Sequence, residues 1–176
     1  MKGIQRDYRN ACNQYDDSHS RIIENRHKQE IDALRLKADI CAQQEALGLS
    51  PSKQQLQELS RQWDSIELHN QELSRRIEAR RNQAQSDIDR AAILAERRML
   101  CIRLEIMMDV ESPAEDKALR RQYQLEQMNK SGLGQQPVNK KELLESMELD
   151  WLCLPGAEAE QQKELDERFR RVLRSA

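Results

Sequence analysis

IQRDYRNACNQYDDSHSRIIENRHKQEIDALRLKADICAQQEAL, residues 4–47, runs its whole length without a glycine or a proline. Ile4, Tyr8, Ala11 and Tyr15 recur at helical spacing. His27, Ile31, Leu34, Ala38 and Cys41 continue the pattern on a slightly shifted stripe, in steps of four, three, four and three. That period belongs to an α-helix, because side chains three and four apart share a face. Gly48 is the expected stop. The polar middle, Asp16 to Ser20, is expected to be weakly held or exposed. A helix of roughly 40 residues spans about 60 Å, so it must form an extended stalk or protrude from a smaller bundle. The stripes are not regular heptads, which favours an antiparallel helical hairpin over a parallel coiled-coil dimer.

The rest of the composition agrees. The 176 residues include five glycines, four prolines and only 3% aromatic side chains, against 34% charged. Abundant Glu, Gln, Arg, Leu and Ala favour long helices, and the β-branched and aromatic runs of a sheet core are missing. The fold class read from the sequence is all-α, with long antiparallel helices and shorter helices packed at the ends. A formal net charge of −2 gives no bulk support to a phosphate-binding protein, though it leaves room for a local basic face. No apolar run approaches bilayer-spanning length. The start, Met1-Lys2-Gly3-Ile4-Gln5-Arg6-Asp7, carries charge but no apolar segment, unlike a secretory signal. Cys12, Cys41, Cys101 and Cys153 are widely spaced, which suits small buried side chains in a reducing cytosol better than a disulfide framework. A cytoplasmic location is expected.

Beyond Gly48, Ser50-Pro51 reads as a helix start. Leu56, Leu59, Trp63 and Ile66 form the buried stripe of a short second helix. A turn is expected over Glu67 to Gln71, with Asn70 as a cap; a continuous helix is the competing reading. Another long helix is expected from about Gln71 to Met108, with Leu73, Ile77, Ala84, Ile88, Ala91, Ala95, Ile102 and Ile106 on one stripe. Its second half is apolar on more than one side, as if packed between partners. Ser112-Pro113-Ala114-Glu115 reads as a capping box with proline in the first turn, opening a helix to about Lys130. Ser131-Gly132-Leu133-Gly134-Gln135-Gln136-Pro137 is the best linker candidate. Asn139 with Glu142 opens a short helix ending near Leu152. Pro155-Gly156 turns the chain into a last helix with Leu165, Phe169, Val172 and Leu173 inward. This makes about six helices, two of them very long. The organisation expected is a long-helix bundle over 1–131, a linker at 132–138, and a short hairpin over 139–176 packed on the first part.

Two places echo each other. Trp63-Asp64-Ser65-Ile66 is followed by Leu73-Ser74-Arg75-Arg76-Ile77. Trp151-Leu152-Cys153-Leu154-Pro155 is followed by Leu165-Asp166-Glu167-Arg168-Phe169. Each has a Trp closing a helix, a turn, then Leu-x-x-Arg-apolar early in the next helix. This resembles the repeat unit of the bacterial domain-of-unknown-function 349 family, in which a Trp near a helix end precedes a turn and an Arg-Phe pair. Leu100-Cys101-Ile102-Arg103-Leu104-Glu105-Ile106, with Glu111-Ser112-Pro113-Ala114-Glu115-Asp116 and Arg120-Arg121-Gln122-Tyr123-Gln124, is similar to the carboxy-terminal part of long proteobacterial members. The resemblance covers the chain from Arg9 onward and implies the last portion of a larger helical repeat protein. Ile77 departs from the family's Phe, and the second unit carries extra residues between its Trp and its Leu. The family supplies no established reaction, ligand or catalytic residue to carry over.

Glu24-Asn25-Arg26-His27 has the Glu-x-x-His spacing of di-iron bundles, and Asp16-Asp17-Ser18-His19 is a weaker version. Both lie on one helix, whereas such a site draws on two facing helices, so no metal is expected. His69 has no recognisable partner. No Cys has a neighbour at zinc-ligand spacing, no glycine-rich phosphate loop exists, and no local signature pairs a Cys nucleophile with a base. No catalytic residue, cofactor or enzymatic activity is expected.

Arg75, Arg76, Arg80 and Arg81 crowd one stretch; Arg90, Arg97, Arg98 and Arg103 follow; Arg168, Arg170, Arg171 and Arg174 end the chain. Of these, Arg75, Arg76, Arg80, Arg81, Arg97 and Arg98 are candidate contacts to phosphate or a partner. The competing reading is a solvated, salt-bridged face with pairs such as Glu72 with Arg76 and Asp87 with Arg90; aromatics for base stacking are not interleaved. Trp63, Ile77, Trp151 and Phe169 are the expected structural anchors, with core packing favoured over interface roles for both tryptophans. Met99, Met107 and Met108 are expected to fill core. The function expected is a non-enzymatic scaffold that meets a protein partner, or preceding repeats of its own parent chain. It would do so through an apolar patch beside Ile93, Leu94 and Leu104. The alternative is an RNA- or ribosome-associated protein acting through the arginine faces.

Overall fold

The structure is a computed structural model that describes residues 2–48, 51–84, 86, 89–130, 139–157 and 159–175. Among these, seven α-helices follow one another: α1 (Lys2–Ala46), α2 (Lys53–Asp64), α3 (Gln71–Gln83), α4 (Arg90–Met107), α5 (Lys117–Lys130), α6 (Lys140–Cys153) and α7 (Ala159–Leu173). A 3₁₀ turn, Ala114–Asp116, precedes α5. The protein is all-α, and no helix among the described residues is long and apolar enough to cross a membrane.

Local chemistry sets most of the boundaries. Gly48 adopts φ 69°, the left-handed conformation that ends α1. Ser52 and Gln55 form a reciprocal capping box at the start of α2; Ser50, expected in that role, lies outside the described residues. Asn70 accepts the Glu72 and Leu73 amides at the start of α3. Asn139 does the same for Lys141 at α6. Asp109, at φ 56°, takes the left-handed turn after α4.

Two expectations fail here. The long helix read from Gln71 to Met108 is two helices, because Asp89 caps α4 by accepting the Ala91 and Ala92 amides, and its side chain competes with helix continuation. Only one helix is therefore very long. Ser112 does not cap the next helix either. Pro113 occupies the cap position without a side-chain bond, and the Ser112 hydroxyl instead donates to Glu105 Oε2 at 2.5 Å. The linker expected at 132–138 lies outside the described residues.

Two apolar cores result, built on one plan. In the first, Leu34, Ala38, Ile40 and Cys41 of α1 meet Leu59 and Trp63 of α2 and Leu73 and Ile77 of α3. In the second, Leu100, Cys101 and Leu104 of α4 meet Met147 and Trp151 of α6 and Leu165, Phe169 and Val172 of α7. Each core therefore has a leading helix, a helix closed by Trp, and a helix opened by the Leu-x-x-Arg-apolar motif. Helix α6 joins them: its Leu149, Leu152 and Cys153 pack on the first core while Met147 and Trp151 belong to the second. Complete burial of a Leu or Ile side chain is worth roughly 1.5–3 kcal/mol, so these shared apolar faces fix the hairpin α6–α7 against α1, α3 and α4.

Candidate functional site

The leading helices carry a spacing that the sequence reading missed: a cation, a Cys and a Glu at four-residue steps. Lys37, Cys41 and Glu45 on α1 correspond to Arg97, Cys101 and Glu105 on α4. Steps of four keep all three on one face. Lys37 Nζ lies 4.2 Å from the Trp63 ring centroid, and Arg97 Cζ lies 4.6 Å from that of Trp151, so each unit's Trp carries a cation on its face. Arg81 adds a second cation to Trp63 at 4.6 Å. Phe169 stacks on Trp151 with centroids 4.2 Å apart and planes 9° apart; Ile77 takes the equivalent place in the first unit and is fully buried.

The two glutamates then hold arginines. Glu45 accepts Arg80 Nε at 2.9 Å and Nη2 at 2.8 Å. Glu105 accepts Arg168 Nε at 2.6 Å and Nη2 at 2.8 Å. Arg168 Nη1 also reaches Asp116 at 2.5 Å, and Arg98 bonds the other Asp116 oxygen. This buried network ties α4, the 3₁₀ turn and α7 together, satisfying charges that would otherwise be costly inside the fold. A second set of arginines grips the turn after α6. Arg80 Nη1 donates to the Leu152 carbonyl at 2.7 Å, Arg97 to those of Pro155 and Leu154 at 2.7 and 2.6 Å, and Arg90 to that of Gly156 at 2.7 Å. A helix C-terminus offers unpaired carbonyls, and guanidinium forks fill them.

The six candidate contact arginines are thus engaged within the fold. Arg75 pairs with Glu72 on its own helix, Arg76 with Asp150, Arg80 with Glu45, Arg81 with Trp63 and Ser60, Arg97 with the turn and Arg98 with Asp116. They do not converge on one open basic surface.

Exposed apolar surface lies elsewhere than expected. The patch beside Ile93, Leu94 and Leu104 is not open: Leu104 is fully buried and the other two are half-buried, because α7 lies across α4. Instead, every residue from 13 to 29 on α1 is exposed. Tyr15 stands 70% exposed, Ile22 58% and Ile23 56%. Burial along α1 begins at Glu30, whose carboxylate accepts the His69 and Asn70 amides. Just before it, His27 Nε2 meets Glu145 on α6. The N-terminal half of α1 therefore projects as an arm. Its Tyr15 and His19 rings stack, with centroids 6.1 Å apart. The side chains of Ile4, Tyr8 and Ala11 lie outside the described residues.

Cys41 and Cys101 are buried and free, and burial pushes their thiols up to about 11 and about 12. Both are suited to packing rather than nucleophilic attack. Among the described residues no three His, Cys, Asp or Glu side chains come together as a metal cluster; His27 faces Glu145 rather than Glu24.

Residues 3–72 match the family model described as Domain of Unknown Function (DUF349). The match takes in α1, α2 with Trp63, and the first residues of α3; the second unit, with Trp151 and Phe169, lies beyond it. No curated protein and no solved structure matches the chain.

Proposed function

We propose, from the match of residues 3–72 to the DUF349 family model, a description that assigns no reaction, a non-enzymatic interaction module that presents the α1 arm to a protein partner. The observation that carries this reading is the exposure of Tyr15, Ile22 and Ile23 on a helix segment that the bundle leaves uncovered. Large apolar side chains grouped on a projecting helix are a recognition surface for another protein. The rigid double-core bundle behind the arm is the scaffold that holds it. The module works within a larger bacterial protein in the reducing cytoplasm, where buried thiols stay free. RNA binding has less support, because the arginines that would neutralise phosphate are held by Glu45, Glu72, Asp116 and Asp150 or by carbonyls.

The test places a photo-crosslinking residue at Ile22 and compares capture with and without nuclease. The expected result is a protein crosslink that survives nuclease and disappears when Ile23 is changed to Glu. A crosslink abolished by nuclease, or one indifferent to Ile23→Glu, would overturn the proposal.

A further inference from the structure

A groove of about 870 Å³ runs between α1 and α7, and none of its lining residues belongs to the exposed segment 13–29. Ala38, Ala42 and Ala46 line the α1 wall, Phe169 and Leu173 line the α7 wall, and Trp151 lies on the floor. The α1 wall extends from Arg35 to Ala46, which at the helical rise is about 16 Å, or three turns. Alanines at four-residue steps leave open a trough that larger side chains would have filled. The result is a trough with helical walls and an apolar lining, the shape that receives an amphipathic helix.

Charge specifies what kind of helix. Arg97 lines this groove and is 1% exposed, yet among the described residues its Nη1 is a buried polar atom without a hydrogen-bond partner. The nearest carboxylate oxygen, Asp166 Oδ1, stands 3.7 Å away and already accepts from Trp151 Nε1 and Gln162 Nε2. Neighbouring Arg80, by contrast, is fully matched by Glu45. Burial and Arg80 together pull Arg97 down to about 10, the response of a cation short of compensating charge. Of the five acids that line the groove, Glu148, Glu45 and Asp166 face Arg35, Arg80 and Arg97; Asp39 and Glu167 remain against Lys163, Arg170 and Arg174, for which no ion pair forms among the described residues. The apolar lining disfavours a phosphate backbone, which has no apolar face to bury there.

We infer that the groove between α1 and α7 receives an acidic amphipathic helix of a partner protein, its apolar face on the alanine wall and a carboxylate directed toward Arg97 and the α7 cations. This surface is independent of the arm, so either reading can fail alone.

The test is selection of binders from a display library of helical peptides about three turns long, using the intact chain as bait. The expected peptides are acidic on one side and apolar on the other. Their binding should weaken at least about tenfold, about 1.4 kcal/mol, on Ala42→Phe, which fills the trough from an exposed position. Arg170→Glu with Arg174→Glu, both exposed, should weaken them as much. Ile22→Glu should leave their affinity unchanged. No enrichment over an empty support would overturn the inference, as would peptides indifferent to the groove variants. So would single-stranded RNA that binds the groove and displaces the peptides when neutral peptides bind as well as acidic ones.

Discussion

Glu105 and Arg168 face each other through two parallel hydrogen bonds, 2.6 and 2.8 Å long, with both side chains buried. The pair joins α4 to α7 across the second core, and Ser112 and Asp116 complete its hydrogen bonding. Removing one member strands the other. Glu105→Ala is expected to cost about 3–5 kcal/mol, read from the midpoint of urea unfolding. The double variant Glu105→Ala with Arg168→Ala should cost clearly less than the two singles added together. Additive losses would show that the pair does not act as a unit.

Gly156 lies against the Glu45 carboxylate so closely that an added Cβ would stand 2.6 Å from Oε2. Glu45 cannot swing aside cheaply because Arg80 holds both of its oxygens. Gly156→Ala should therefore destabilise by about 1–3 kcal/mol, with Arg80→Lys partly relieving the clash. A Gly156→Ala protein as stable as the parent would mean that the turn is free to move.

The thiols give a chemical and a pH readout. Cys41 and Cys101, raised to about 11 and about 12 by burial, should alkylate far more slowly in the folded chain than in urea at neutral pH. Because the folded state holds these protons more tightly than the unfolded chain, whose thiols titrate near 9, their contribution is fully present below pH 9. It falls as the pH rises toward 11 and 12. Arg97, pulled down to about 10, works in the opposite sense above that pH. Thermal unfolding between pH 8 and 11 should show the net decline, and replacing both cysteines with Ala should flatten it.

The arm should be silent in stability. Ile22 and Ile23 are exposed, so Ile22→Glu and Ile23→Glu should each change unfolding by no more than about 0.5 kcal/mol, while Leu34→Ala, fully buried farther along the same helix, should cost about 2–5 kcal/mol. Equal effects from the two halves of α1 would place the arm inside a packed surface.

Helical period made α1 legible, and with it the inward stripe of Leu34, Ala38 and Cys41. The motif repeated at Trp63 and Trp151 located both cores, because a large ring at a helix end has to be covered by the next helix. Period alone could not separate α3 from α4: the stripe continues in register while the break rests on the Asp89 side chain, a local polar competition. The same limit hid the role of Ser112, whose hydroxyl answers a buried carboxylate seven residues earlier rather than its own helix. The sequence left the arginines between phosphate or partner contacts and a salt-bridged face, because it counts charges without showing that Glu45, Glu105, Asp116 and Asp150 lie opposite them. Nothing in the sequence singles out Ile22 and Ile23, since exposure depends on where the bundle ends. The cation, Cys and Glu at four-residue steps were present in both units and could have been found by aligning the two leading helices.

Amide hydrogen exchange along α1 tests the separation of arm from bundle most directly. An uncovered helix segment opens locally with little cost, whereas amides packed in a core exchange only through larger unfolding. The expected result is rapid exchange over residues 13–29 and strong protection from Leu34 to Cys41, with the step at Glu30. Uniform strong protection from residue 13 onward in the monomer would contradict it.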